Sequence, residues 1–417
     1  MTTSSDSLLF LRWFLMSVVT GIVIAVAVVV AIDPYDQYRV VVKEGFNRVK
    51  PELTRYQNEI KLTHAAELRA DALILGNSRA EAGLDPEAGA FTQSGLSAYN
   101  LAVPGSGILN SRRQAEYLYQ IGAKPKTIIL GMEFLDFMES GKAAAPAISH
   151  TPSIGQVPHP DSWFWRFDSL FSLASLKDAM QTLSIQGDEE ADVMTPRGFN
   201  PLRGYVPIAR REGYFRLFKQ RAGENTRIYL RKAKGSLSLD DLVHLNAILD
   251  LAAESGTEAN LIIYPYHAQI LALFEETGLA NAFEEWKMAL ISEVSAARAR
   301  HPDARITLFD FSGYGPYNCE RIPEHGDHVT STQWYWEAGH FKKQLGDILL
   351  KSVFSSPLLT EQTEGQRPPG MFGFQLDDSN SAENLKRISL ERARCSQSYP
   401  ELFAEATALV RLERGRN

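Results

Sequence analysis

The chain reads as an α/β protein built on a parallel sheet and carried behind one membrane-spanning segment. Three observations predict this. Short apolar runs alternate with helical stretches, the pattern of a parallel sheet covered on both faces. The first of those runs ends abruptly in a small polar turn, Gly76-Asn77-Ser78, at the strand end where open α/β sheets place ligands. Ahead of them, Trp13 to Ile32 is twenty residues without a charge, and a helix of that length spans about 30 Å, one hydrocarbon core.

Trp13–Ile32 is longer than the roughly 7–15 apolar residues of a cleaved leader, and no polar face interrupts it as in a core helix. It reads as an uncleaved anchor, with Val29-Val-Ala31 keeping a cleaved form as the alternative. Arg12 precedes the span, and Asp33 and Asp36 follow it before Arg39 and Lys43. The positive-inside margin is one residue, but a long folded body after a first hydrophobic segment favours a short cytoplasmic tail (1–12) and an extracytoplasmic body. Residues 33–68 are polar and mostly helical in pattern, a stalk. Strand-like runs follow at Ala72–Gly76, Ala98–Val103, Thr127–Gly131, Ala259–Tyr264 and Arg305–Asp310. Helical stretches lie at Ile108–Ile121, Leu239–Glu254, Gln269–Arg300 (broken near Gly278) and Lys342–Lys351. The α/β domain is thus 69–136 plus 237–351.

Residues 137–236 do not fit the alternation and read as an insertion, a lid or substrate wall beside the carboxyl-end face. The insertion is rich in Pro and Ser, then aromatic at Trp163-Phe-Trp-Arg-Phe, then basic from Arg210 to Lys234. That basic run is either a solvated helix face or a surface for anionic glycan or lipid head groups. Residues 352–417 form a linker (360–370) and a helical tail. The formal net charge of −7 argues against a nucleic-acid partner. Cys319 and Cys395 are either one disulfide or two thiols; two cysteines are too few for a disulfide scaffold.

Serine chemistry needs a hydroxyl, a base, a group that holds the base, and donors for an oxyanion. Ser78 supplies the hydroxyl at the mouth of the first strand. Trp334-Tyr-Trp-Glu337-Ala-Gly-His340 supplies a base with a carboxylate three positions earlier; on one turn, i and i+3 face the same way, so Glu337 can hold one ring nitrogen while the other meets Ser78. Asp327 is the alternative acid. Glu320, His325, Asp327 and His328 have ligand-type side chains, but their spacing fits no standard zinc pattern, so no metal is expected. His267, in Tyr264-Pro-Tyr-His267, is either a residue of the substrate site or structural.

These residues resemble the motifs of the SGNH/GDSL hydrolase superfamily, whose fold is a flavodoxin-like three-layer α/β sandwich with a central parallel sheet. The family has a Gly-Asp-Ser turn after the first strand, Asn-x-Gly-x-x-Gly after the second, Gly-x-Asn-Asp after the third and a late Asp-x-x-His. Here they correspond to Gly76-Asn77-Ser78, with Asn for Asp; Asn100-Leu-Ala-Val-Pro-Gly105; and Glu337-Ala-Gly-His340, Glu for Asp. The third departs: Gly131-Met-Glu133 puts a carboxylate where the family has its oxyanion-hole asparagine. A carboxylate cannot donate, so Glu133 is either protonated by burial or turned elsewhere. The resemblance implies Ser78 as nucleophile, His340 as base, Glu337 as its orienting acid, and the amides of Ser78 and Gly105 as the oxyanion hole, with no cofactor.

The anchor together with this fold is similar to a narrower, membrane-tethered group, including the alginate O-acetylation and teichoic-acid D-alanylation proteins. That similarity implies an acyltransferase or esterase acting on an envelope or extracellular polysaccharide, with an acyl donor delivered by a membrane acyltransferase partner. The rival expectation is a catalytically weak module that binds polysaccharide or scaffolds an export complex.

Overall fold

The computed structural model describes residues 4–139, 163–355 and 372–416. In chain order it runs α1 (Ser4–Ile32), β1 (Lys50–Pro51), α2 (Gln57–Leu68), β2 (Ala72–Leu75), α3 (Ser78–Gly83), α4 (Gly89–Gln93), β3 (Ala98–Asn100), α5 (Ile108–Gln120) and β4 (Thr127–Met132). It continues through α6 (Trp163–Phe171), α7 (Leu173–Ser184), β5 (Val193–Met194), α8 (Tyr205–Glu212), α9 (Tyr214–Lys232), α10 (Leu239–Glu254), β6 (Glu258–Ile263), α11 (Ala268–Thr277), α12 (Ala280–Arg300) and β7 (Ile306–Asp310). A hairpin, β8 (Tyr335–Glu337) and β9 (His340–Phe341), precedes α13 (Lys343–Ser355), β10 (Phe374–Gln375), α14 (Ser381–Ser398) and α15 (Pro400–Arg414).

The fold is α/β. Its six-stranded sheet has the order β10-β7-β6-β4-β2-β3. All pairs are parallel except β10 against β7. Every side chain of β2 is buried, so both faces of that strand are covered, as its unbroken apolar run requires. Strand order reverses between β2 and β4, which makes the carboxyl ends of these two strands the natural ligand crevice. The helical stretch near Gly278 does break: Gly278 adopts a left-handed φ of 89° and caps α11, a conformation glycine reaches without a Cβ penalty.

The chain divides into two compact units, Met1–Thr63 with Thr151–Thr195, and His64–His150 with Pro196–Asn417. The stretch 137–236 is therefore shared. Its α8 and α9 belong with the α/β unit, and its α6 and α7 belong with the N-terminal unit. The expected linker at 360–370 lies outside the described residues.

In the N-terminal unit one helix, α1, is long and apolar enough to cross a membrane. The expected helical stalk differs. Residues 33–56 are irregular apart from β1, and only Gln57–Leu68 is helical. Side chains hold the irregular path: the Asp33 carboxylate accepts from the N–H groups of Gln37, Tyr38 and Arg39, and Asn47 Nδ2 donates to Val41 O at 2.6 Å. Such local side-chain-to-backbone bonds compete with helix.

Candidate active site

Ser78 opens α3, directly after the buried strand β2. The turn between them needs glycine. Gly76 has φ +144°, and a Cβ there would overlap the Tyr264 hydroxyl. Asn77, extended, caps α3 with its side chain accepting from Arg79 N at 3.1 Å. An asparagine does this as well as the family's aspartate, so Asn77 has a local structural task. The half-buried Ser78 is thereby held at the first turn of a helix whose axis starts at the crevice.

His340 arrives from the other side on the β8–β9 hairpin. His340 Nε2 lies 2.9 Å from Ser78 Oγ, and His340 Nδ1 bonds Glu337 Oε1. The juxtaposition of positions i and i+3 comes from this hairpin, not from a helical turn: Glu337 and His340 are cross-strand partners around Ala338-Gly339. Glu337 is 2% exposed. Its Oε2 accepts from Gly339 N at 2.6 Å and pairs with Arg221 Nε at 3.1 Å. Burial opposes its charge, but His340, Arg221 and the Gly339 N–H outweigh that and hold its carboxyl at about 2.

Two glycines let the serine and histidine elements meet. A Cβ on Gly83, at the end of α3, would overlap the Phe341 ring next to His340, and a Cβ on Gly346 in α13 would overlap the Gly83 carbonyl. Asn100, fully buried, ties down the far end of α3 by donating to Ala80 O and Leu84 O, both at 2.8 Å. The Gly105 turn is stitched to the serine turn: Val103 N donates to Gly76 O at 3.0 Å, and Ser106 Oγ donates to Val103 O at 2.8 Å. Gly105 itself has φ +69°, which favours glycine.

Glu133 is turned elsewhere. Its Oε2 pairs with Arg79 Nε at 3.0 Å, its Oε1 accepts from Tyr266 OH at 3.1 Å, and the guanidinium stacks 4.7 Å over the Tyr266 ring. Both of its carboxylate oxygens are thus committed to Arg79 and Tyr266. His267 has a structural task. It is fully buried, its Nδ1 accepts from Gln269 N at 3.2 Å as the cap of α11, and its Nε2 bonds Glu320 O at 2.9 Å. Burial pushes the ring down to about 4.

Asp327 does not orient His340. Its carboxylate closes its own surface loop, accepting from Val329 N at 2.9 Å and Thr330 N at 2.8 Å. Glu320 accepts from the N–H groups of Gln333, Trp334 and Tyr335, which orders the approach to β8. Among the described residues no group of three or more His, Cys, Asp or Glu is placed to hold a metal ion.

Arg221 and Arg79 were not singled out by sequence reasoning. Arg221 sat inside a long basic run. Its one distinguishing sign was its place on the buried stripe of α9, four residues from Leu217 and four from Asn225. Comparison with protein-family models, with curated proteins and with solved structures found no match to this chain.

Proposed function

We propose that the chain is a membrane-anchored serine esterase or acyltransferase of SGNH type. The observation that carries this reading is the hydrogen-bonded series Ser78 Oγ, His340 Nε2, His340 Nδ1, Glu337. In this mechanism His340 takes the Ser78 proton as Oγ attacks the acyl carbonyl, and the Ser78 and Gly105 N–H groups receive the oxyanion. The tetrahedral intermediate collapses, the leaving alcohol takes the proton from His340, and an acyl-Ser78 ester remains. A sugar hydroxyl or water, deprotonated by His340, then attacks that ester and releases Ser78. Glu337 keeps the tautomer with a proton on Nδ1 and stabilises the imidazolium.

The sheet's strand order, second-first-third-fourth-fifth among its parallel strands, supports the flavodoxin-like arrangement that the resemblance implies. The Cys319–Cys395 disulfide supports an oxidising, extracytoplasmic location for the body. With α1 as anchor, an envelope polysaccharide is the proposed acceptor. An active-site serine probe on the detergent-solubilised protein tests the reading: it labels the wild type and not Ser78→Ala.

One observation favours a second reading. Glu133 replaces the third oxyanion donor and is committed to Arg79. Losing one such donor costs about 10²–10³ in rate in a studied hydrolase, which suits a weak enzyme or a polysaccharide-binding module. Equal, absent labelling of both proteins would favour it.

A further inference from the structure

Exposed apolar side chains run along α1 from Leu8 to Ile24, and the helix passes under cover at Val28 and Val29. The cover is a collar: Leu170 of α6 and Leu176, Ala179 and Leu183 of α7 pack around Val29 and Ile32. From Leu8 to the start of the collar at Val28 is twenty residues, about 30 Å of helix, the thickness of a hydrocarbon core. If that length lies in lipid, the collar stands at the level of the head groups.

One exposed face of α6 is apolar. Trp165 and Ser169 turn inward, whereas Phe164, Phe167 and Phe171 are 65%, 50% and 50% exposed. Their spacing puts the three rings within roughly 60° of one another on the helix, and the Phe167 and Phe171 rings stack at 4.4 Å. Leu173, opening α7, is 87% exposed, and Val40 and Val42, in the chain leaving α1, are 68% and 57% exposed. Scattered exposed apolar residues need no explanation, but a grouped aromatic stripe marks an interaction surface.

We infer that the Phe164-Phe167-Phe171 face of α6 is a membrane-docking surface that lies in the interfacial region of the bilayer spanned by α1. It rests on the anchor reading above. The occupant is lipid because the stripe belongs to the same collar that meets α1 where its bilayer-length exposed section ends. A short helix with aromatics on one face and charged residues beside them, here Arg166 and Asp168, is the form an interfacial helix takes. The consequence is an N-terminal unit fixed in height and rotation at the membrane instead of swinging on a single helix.

Spin labels in nanodiscs test this with the full chain. Both native cysteines are joined in a disulfide, so an introduced cysteine takes the label alone. A label at Val19→Cys reports on the anchor, and labels at Phe167→Cys and Leu173→Cys report on the collar. Collision with oxygen exceeding collision with a water-soluble nickel complex at all three sites is the expected result. Oxygen dominance at Val19 with nickel dominance, or shielding from both, at Phe167 and Leu173 overturns the docking surface and leaves the anchor intact. Nickel dominance at Val19 overturns both.

Discussion

Replacing Glu337 with glutamine tests the orienting carboxylate with almost no change of shape. In the wild type both oxygens receive donors: Oε1 from His340 Nδ1, and Oε2 from Gly339 N and Arg221 Nε. Glutamine has one oxygen and one NH₂ group. If its oxygen faces Arg221 and Gly339, the NH₂ donates to Nδ1 and forces the proton onto Nε2, where it cannot accept from Ser78. If the amide flips, the NH₂ meets two donors. Either state loses the correct tautomer or its support, and the matching change in a serine protease costs about 10⁴, roughly 5 kcal/mol of transition-state stabilisation. Glu337→Gln should therefore lose on the order of 10³–10⁴ in kcat/KM for a small activated ester. The fold should survive, because Arg221 is 31% exposed and keeps Glu224 at 3.1 Å. Cooperative thermal unfolding checks that. Asp327→Asn, in its own loop, should change turnover only several-fold. The reverse ranking would refute the assignment of the acid.

Arg221 Nε holds Glu337 Oε2 at 3.1 Å, so Arg221→Met should lower kcat/KM on the order of tenfold, the worth of a charge-assisted bond reduced by partial exposure. Arg221→Lys should restore part of that loss, and an unchanged kcat/KM in Arg221→Met would show that the arginine does not act on the site. His267 titrates at about 4 when folded against 6.5 free, so the unfolded chain binds the extra proton between those values. Stability is then full above pH 6.5 and falls by roughly 3 kcal/mol as pH drops toward 4. Urea unfolding across that window should show the loss, and His267→Asn, which keeps a capping side chain, should reduce the slope. Gly346→Ala drives a Cβ into the Gly83 carbonyl; about 1–3 kcal/mol of destabilisation, with slower ester turnover, should follow, and a neutral result would mean α3 and α13 are not held in close approach.

The sheet was readable because its strands are buried on both faces, which leaves unbroken apolar runs, and because Gly76, Gly105 and Gly278 mark turns that other residues resist. Ser78, Glu337 and His340 were readable from spacing, although a hairpin and not a helical turn brings the last two together; three residues separate facing positions in both. The irregular path of 33–56 was not readable, since Asp33 and Asn47 work through backbone groups that no periodicity reveals. Arg221 was hidden because an arginine's neighbours along the chain do not say which carboxylate it meets across the fold. His267 stayed open between a substrate-site and a structural reading because capping and catalysis both place a histidine at a strand end; its burial and its cap bond to Gln269 N favour the structural one.

The central claim is that Ser78 is a nucleophile, and the intact mass of the protein after brief exposure to an activated acetyl ester tests it most directly. The detergent-solubilised full chain should gain one acetyl group, mapped to the peptide carrying Ser78, and the adduct should disappear with time in buffer and be absent from Ser78→Ala. An equal mass for treated and untreated wild type, with no Ser78-dependent ester turnover, would contradict the account.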